Sequence, residues 1–203
     1  MNYRKITTRV ADCLKPLQAY IYLGLAMKSD YETLYSNVNE DTLAEYLDVH
    51  SNTISKNILY FQREGLIHIN RQNYPDKRKN SYQLNGEHYV LIDEQLLREP
   101  ISRELKGFLV LLKCRCLNST NVCLYSGRKL ADTICLKKSR VNYYLNQAEE
   151  LGYIKRKRNT ITLTRDDIFI VTNETDIAQW KRFYPEVILD EDFDEHGKYI
   201  GHD

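Results

Sequence analysis

The chain has 203 residues, 42% hydrophobic and 28% charged, with 8 Gly and 4 Pro, a balance that excludes fibrous, collagen-like and wholly disordered chains. No run approaches the ~18 apolar residues of a membrane span, and Met1 to Val10 lacks the apolar core and cleavage site of a secretory signal, so a cytoplasmic protein without membrane contact is expected. The net charge of +1 conceals a division: from Glu174 onward nine acidic residues face three basic ones, a tail of −6, and the remaining 26 basic and 19 acidic residues make a body of +7.

In chain order, apolar residues at helical spacing predict a first helix from roughly Pro16 to Lys28. A second helix follows the N-cap candidate Asn39, with Val38 before it and Leu43 after it in a hydrophobic-staple arrangement. A third turns Ile54, Ile58 and Phe61 inward and stops near Gly65, a residue suited to the left-handed position past a helix end. A hairpin comes next, its turn-rich Asn73-Tyr74-Pro75-Asp76 predicting a long loop between His68 and Asn80, and the apolar string Tyr89 to Ile92 closes the set.

The same series then repeats. A helix from Ile101 to Cys116 precedes the N-cap candidate Ser126, flanked by Tyr125 and Leu130; a third helix turns Val141, Leu145 and Ala148 inward and stops near Gly152. At a fixed offset of 87 residues, Leu43-Ala44 matches Leu130-Ala131, Leu47 matches Ile134, Ile54 matches Val141, Ile58 matches Leu145, Gly65 matches Gly152 and Ile67 matches Ile154. Beyond the glycine the offset falls to 79, with Tyr82 and Leu84 on Ile161 and Leu163, so the first copy carries eight extra residues in its hairpin. The second closes instead with a short turn near Arg158-Asn159.

Past the repeats, Ile177, Trp180, Phe183 and Tyr184 recur at helical spacing and predict a short amphipathic helix, packed on the second copy or offered to a protein partner. Asp190 to Asp203 reads as a disordered acidic end. The cysteines Cys13, Cys114, Cys116, Cys123 and Cys135 are odd in number, contain no C-x-x-C pair and lie far in sequence from histidines. They read as small buried hydrophobes rather than disulfides or metal ligands. There is no P-loop, dinucleotide-binding glycine turn, H-E-x-x-H or G-x-S-x-G, so no catalytic residue, cofactor or metal is expected.

The stretch Leu43-Ala44-Glu45-Tyr46-Leu47-Asp48-Val49-His50-Ser51-Asn52-Thr53-Ile54-Ser55-Lys56, followed by Gly65-Leu66-Ile67, resembles the helix-turn-helix of winged-helix DNA-binding proteins. Lys129-Leu130-Ala131 to Gly152-Tyr153-Ile154 resembles it again, and with first helices and hairpins the likeness covers roughly residues 14–172. It departs from the family in the turn between helices, where Asp48 and Cys135 stand in place of the usual Gly. The resemblance implies a mainly α fold with small β-hairpins (α+β) in two tandem winged-helix domains, residues 1–92 and 93–173, followed by the acidic tail, residues 174–203, with its short amphipathic helix.

Such a module places its third helix in the major groove and its wing along phosphates. The expected double-stranded DNA contacts are Ser51, Asn52, Thr53, Ser55 and Lys56 on the first third helix, and Lys137, Lys138, Ser139, Arg140, Asn142 and Tyr143 on the second. The wings would add Lys77, Arg78 and Lys79, and Lys155, Arg156, Lys157 and Arg158. A solvated helix face is the competing account, but Ser51 to Gln62 and Lys137 to Ala148 contain no acid. A transcriptional regulator is the leading expectation. A plasmid-type replication initiator, which the tandem architecture resembles, and a winged-helix protein-interaction scaffold are the alternatives. A homodimer through the first-helix faces or Tyr89 to Ile92 stays open beside a monomer.

Overall fold

The structure, a computed structural model, describes residues 2–74, 77–157, 159–172, 181–182, 184 and 194–200, with backbone alone for 71–74 and 77–79. It opens with a strand, β1 (Tyr3–Thr7), and one helical turn, α1 (Val10–Cys13), neither of which the apolar spacing announced. Pro16 then starts the long α2 (Pro16–Met27) at a position where its missing N–H costs nothing. A two-residue strand, β2 (Tyr35–Ser36), leads into α3 (Glu40–Leu47), where the Asn39 side chain accepts a hydrogen bond from the Thr42 N–H. Asp48 takes a left-handed φ of 50° and turns the chain into α4 (Ser51–Arg63). Gly65, at φ 69°, releases it into the hairpin β3 (Ile67–Tyr74) and β4 (Lys77–Leu84). The first set closes with β5 (Tyr89–Asp93) and the single turn α5 (Gln95–Arg98).

The second set follows in the same order: α6 (Arg103–Lys113), β6 (Val122–Cys123), α7 (Gly127–Thr133), α8 (Lys138–Glu150), the hairpin β7 (Ile154–Lys157) and β8 (Thr160–Leu163), and β9 (Phe169–Ile170). From α2 to β3 and from α6 to β7, every element begins 87 residues after its counterpart. Ser126 caps α7 as expected, accepting from the Lys129 N–H. Cys135 occupies the same left-handed turn as Asp48, at φ 53°.

Two small antiparallel sheets, β2-β4-β3 and β6-β8-β7, belong one to each repeat. The eight extra residues of the first hairpin do not form the long loop expected of them. They lengthen each strand by four, from Ile67↔Leu84 out to Tyr74↔Lys77, whereas the second hairpin runs from Ile154↔Leu163 to Lys157↔Thr160. The ladder wins because it pairs backbone groups that a loop would leave to solvent.

A third sheet, β1-β5-β9, joins the two sets. Leu91 lies directly opposite Ile170, its counterpart at the offset of 79. Equivalent residues facing one another in an antiparallel pair are what a two-fold relation between the repeats produces. The first helices also meet: α2 packs on α6, and a Cβ at Gly107 would fall 1.7 Å from the Pro16 carbonyl oxygen. Both surfaces suggested for a homodimer, the first-helix faces and Tyr89 to Ile92, are thus used within one chain. Residues of both repeats, from Ile6 to Phe169, form one continuous core.

Three cysteines, Cys114, Cys116 and Cys123, are buried as read from sequence; Cys13 is half-buried and Cys135 exposed. The exception follows from the turn, whose left-handed backbone projects residue 135 away from the core. Among the described residues no helix is long and apolar enough to cross a membrane. Of the expected tail helix, Ile177, Trp180 and Phe183 lie outside the described residues. Tyr184 is fully buried on the second repeat, its ring 4.4 Å from that of Tyr125. Its hydroxyl donates to the Arg115 carbonyl and accepts from the Leu124 N–H.

Candidate nucleic-acid interface

α4 and α8 are 13 residues each and each buries one stripe. Ile54, Ile58 and Phe61, and Val141, Leu145 and Ala148, are at most 1% exposed. The 3.6-residue period therefore turns Asn52 and Lys56 outward on α4, and Ser139, Asn142 and Tyr143 outward on α8, where all are exposed. Lys137, Lys138 and Arg140 are exposed at the start of α8. Two large apolar side chains join these polar faces, Leu59 at 55% exposure and Tyr143 at 51%. Buried Asn57 was not anticipated on the inner stripe; its amide donates to the Thr53 carbonyl and satisfies itself within the helix.

The expected contacts divide when followed into space. Ser51 and Ser55 are half-buried and already engaged: Ser51 donates to Asp41 at 2.7 Å, and Ser55 donates to Glu40. Thr53 is half-buried between them. The sequence of α4 holds no acid, but the first turn of α3 lays Glu40 and Asp41 beside it. Glu40 also faces Tyr82, whose phenol burial and this carboxylate push up to about 12. In the second repeat Gly127 and Arg128 replace this acidic pair at the offset of 87. Arg140 lies along two rings, 5.6 Å from the centre of Tyr143 and 5.1 Å from that of Tyr144, and donates to the Tyr144 hydroxyl.

The hairpins also differ. Lys155, Arg156 and Lys157 are exposed along β7. Arg156 is bound to Glu149 by backbone and side chain, and the hydrogen bond from its guanidinium holds the Glu149 carboxyl below its ordinary range. One of the expected basic charges is therefore matched inside the repeat. Lys77, Arg78 and Lys79 lie on the backbone of β4, with side chains outside the described residues, and Arg158 lies outside them altogether.

The ends of the two helices are made differently. His50 caps α4, its Nδ1 accepting from the Asn52 N–H, whereas Lys137 gives α8 no side-chain cap. In the first turn of α8 the Arg140 N–H donates to the Lys137 carbonyl, and the Lys137 side chain caps none of the others. Among the described residues no group of three or more His, Cys, Asp or Glu side chains is placed to hold a metal ion. A hollow of about 530 Å³ between the repeats is lined by Tyr20, Tyr46, Asp48, Arg103 and Lys106. Its cations are matched locally, Arg103 by Asp48 and Lys106 by the Leu97 carbonyl.

No protein-family model matches the chain, and no curated protein matches it. The functional reading therefore stands on the fold and the two helix faces.

Proposed function

We propose that the chain is a sequence-specific double-stranded DNA-binding protein of two tandem winged-helix domains, residues 1–92 and 93–173, acting as a transcriptional regulator. The observation that carries this reading is the recurrence, at one offset, of helix, short strand, two helices and hairpin, with each third helix leaving a polar face uncovered. In that order of elements, α4 and α8 are the helices that enter major grooves and the hairpins are the wings that follow phosphate. Asn52 and Asn142 suit adenine edges; Lys56 and Arg140 suit guanine. A replication initiator would use the same two faces, and the position of the target site, promoter or origin, separates it from a regulator.

Exposed Leu59 and Tyr143 favour one further reading, a protein-interaction scaffold, since a scaffold would bury them against a partner. Selection from a random duplex pool at two salt concentrations, with wild type, Lys56→Ala and Arg140→Ala, decides between them. A two-part motif, each part degraded by one variant, is expected. Failure to enrich any duplex, with affinity indifferent to salt, would replace DNA binding with the scaffold.

A further inference from the structure

The helix-turn-helix segments of the two repeats align without a gap at the offset of 87, so their charges compare directly. Residues 39–56 carry Glu40, Asp41, Glu45 and Asp48 against Lys56 alone, a net −3. Their counterparts, residues 126–143, carry Arg128, Lys129, Lys137, Lys138 and Arg140 against Asp132 alone, a net +4. Two segments of equal length and equal fold thus differ by seven charges. The side chains that carry the difference are mostly at the surface: Asp41, Glu45 and Asp48 in the first, and Arg128, Lys137, Lys138 and Arg140 in the second, are exposed.

From this we infer that the repeats divide the work of binding, the second gripping phosphate through the face of α7 and α8, and the first held off phosphate by Glu40 and Asp41. The inference rests on the DNA-binding reading and assigns its unequal halves. Three features of the structure agree in direction. The carboxylates of Glu40 and Asp41 flank α4 and take the hydroxyl protons of Ser55 and Ser51, the donors that a phosphate would otherwise receive. At the positions of those serines the second repeat has exposed Lys138 and Asn142. The start of α8 lacks the side-chain cap that His50 gives α4, and exposed Lys137 and Lys138 stand at that same end, where positive charge and the helix dipole favour an anion. Lys137 and Lys138 form no ion pair among the described residues.

An affinity that comes from phosphate neutralisation falls with salt, and the slope counts the contacts at about 0.9 per phosphate. The test is fluorescence anisotropy of the full chain with a labelled duplex of scrambled sequence, titrated from about 50 to 200 mM salt. Lys137→Ala/Lys138→Ala/Arg140→Ala should make the slope of log affinity against log salt shallower by about 2.7 and weaken low-salt binding more than about tenfold. Lys56→Ala should weaken it less than about threefold and leave the slope within about 0.5. Glu40→Gln/Asp41→Asn, which keeps shape and hydrogen-bonding capacity, should tighten binding and steepen the slope. Thermal melts confirm that each variant is folded. The division is overturned if Lys56→Ala costs as much as one-third of the triple variant's loss, or if neutralising Glu40 and Asp41 leaves binding unchanged or weaker. If wild type binds no duplex with any salt dependence, the DNA reading itself falls and the division with it, a result distinct from the other two.

Discussion

Gly107 sits where α6 crosses α2, and a single methyl group there tests whether the repeats are fastened through their first helices. A Cβ at this position would lie 1.7 Å from the Pro16 carbonyl oxygen and 2.5 Å from its carbon. Both are backbone atoms at the start of a helix, so no side chain can rotate away and α6 must retreat by more than an ångström. Overpacking of this kind costs about 3 kcal/mol at the upper end of its usual range. Replacing Gly by Ala inside a helix returns about 1 kcal/mol of helix propensity. Gly107→Ala should therefore destabilise the chain by about 2 kcal/mol, lowering the melting temperature by about 4–8 °C at this size.

Gly24→Ala is the control. Its Cβ would meet the branched end of the Leu47 side chain, Cδ2 at 2.5 Å and Cγ at 2.8 Å, a side chain rather than backbone, which can shift its rotamer at a cost of about 1 kcal/mol; against the same gain in propensity the net change is near zero. Urea denaturation followed by circular dichroism reads both variants. A Gly107→Ala chain within about 0.5 kcal/mol of wild type, or no less stable than Gly24→Ala, would refute the packing of α2 on α6 as the joint between the repeats.

Other perturbations address single contacts. Tyr184→Phe strips the Leu124 N–H and the Arg115 carbonyl of their buried phenol and should cost about 2 kcal/mol in urea denaturation; no loss would mean that this residue does not anchor the tail to the second repeat. The Glu94 carboxyl is held below its ordinary value of 4.5, first by the Tyr46 hydroxyl and then, against partial burial, by Asn2 and Arg98. A lowered folded-state value stabilises above the unfolded one and is lost as the pH falls. The stability gap between wild type and Glu94→Gln should be full above the ordinary value of 4.5 and close as the pH falls through the lowered folded-state value; a gap independent of pH would remove the carboxylate as its source. Cys135→Gly relieves a left-handed φ of 53° on a non-glycine residue and should raise stability by about 0.5–1 kcal/mol after the entropy that glycine loses on folding, read as an upward shift in melting temperature.

The helices were legible because their burial follows a 3.6-residue period and their ends carry explicit signals: Asn39 and Ser126 as caps, Gly65 and Gly152 as left-handed stops. The elements that escaped are too short for periodicity. β2 and β6 have two residues each, and β1 is set by its pairing with β5, more than eighty residues away. The candidate interface was half legible. Exposure along α4 and α8 followed from the same period, but the acids that flank α4 come from α3, and no reading of the third helix alone reveals them. The signal was present at the offset of 87, where Glu40-Asp41 stands against Gly127-Arg128; aligning apolar positions finds the repeat, and aligning charges finds its asymmetry.

The rigid joint and the inequality of the two faces depend on one another. Under the DNA reading, residues 39–56, at net −3, oppose rather than aid the first encounter with a phosphate chain. On the same reading, fastened to a segment of net +4, this face would meet the duplex after capture, at an effective concentration set by the joint rather than by its own affinity. Three separate contacts supply that joint: α2 on α6 at Gly107, β9 on β5 in the shared sheet, and the ion pair between Asp12 of α1 and Arg115, just past the end of α6. A flexible tether would let the first face bind at many distances from the second, whereas three contacts permit one distance and one helical phase. Under the DNA reading, Asn52 and Lys56 then discriminate between sequences without contributing grip, since a wrong base is rejected by a module that the second repeat has already placed over it.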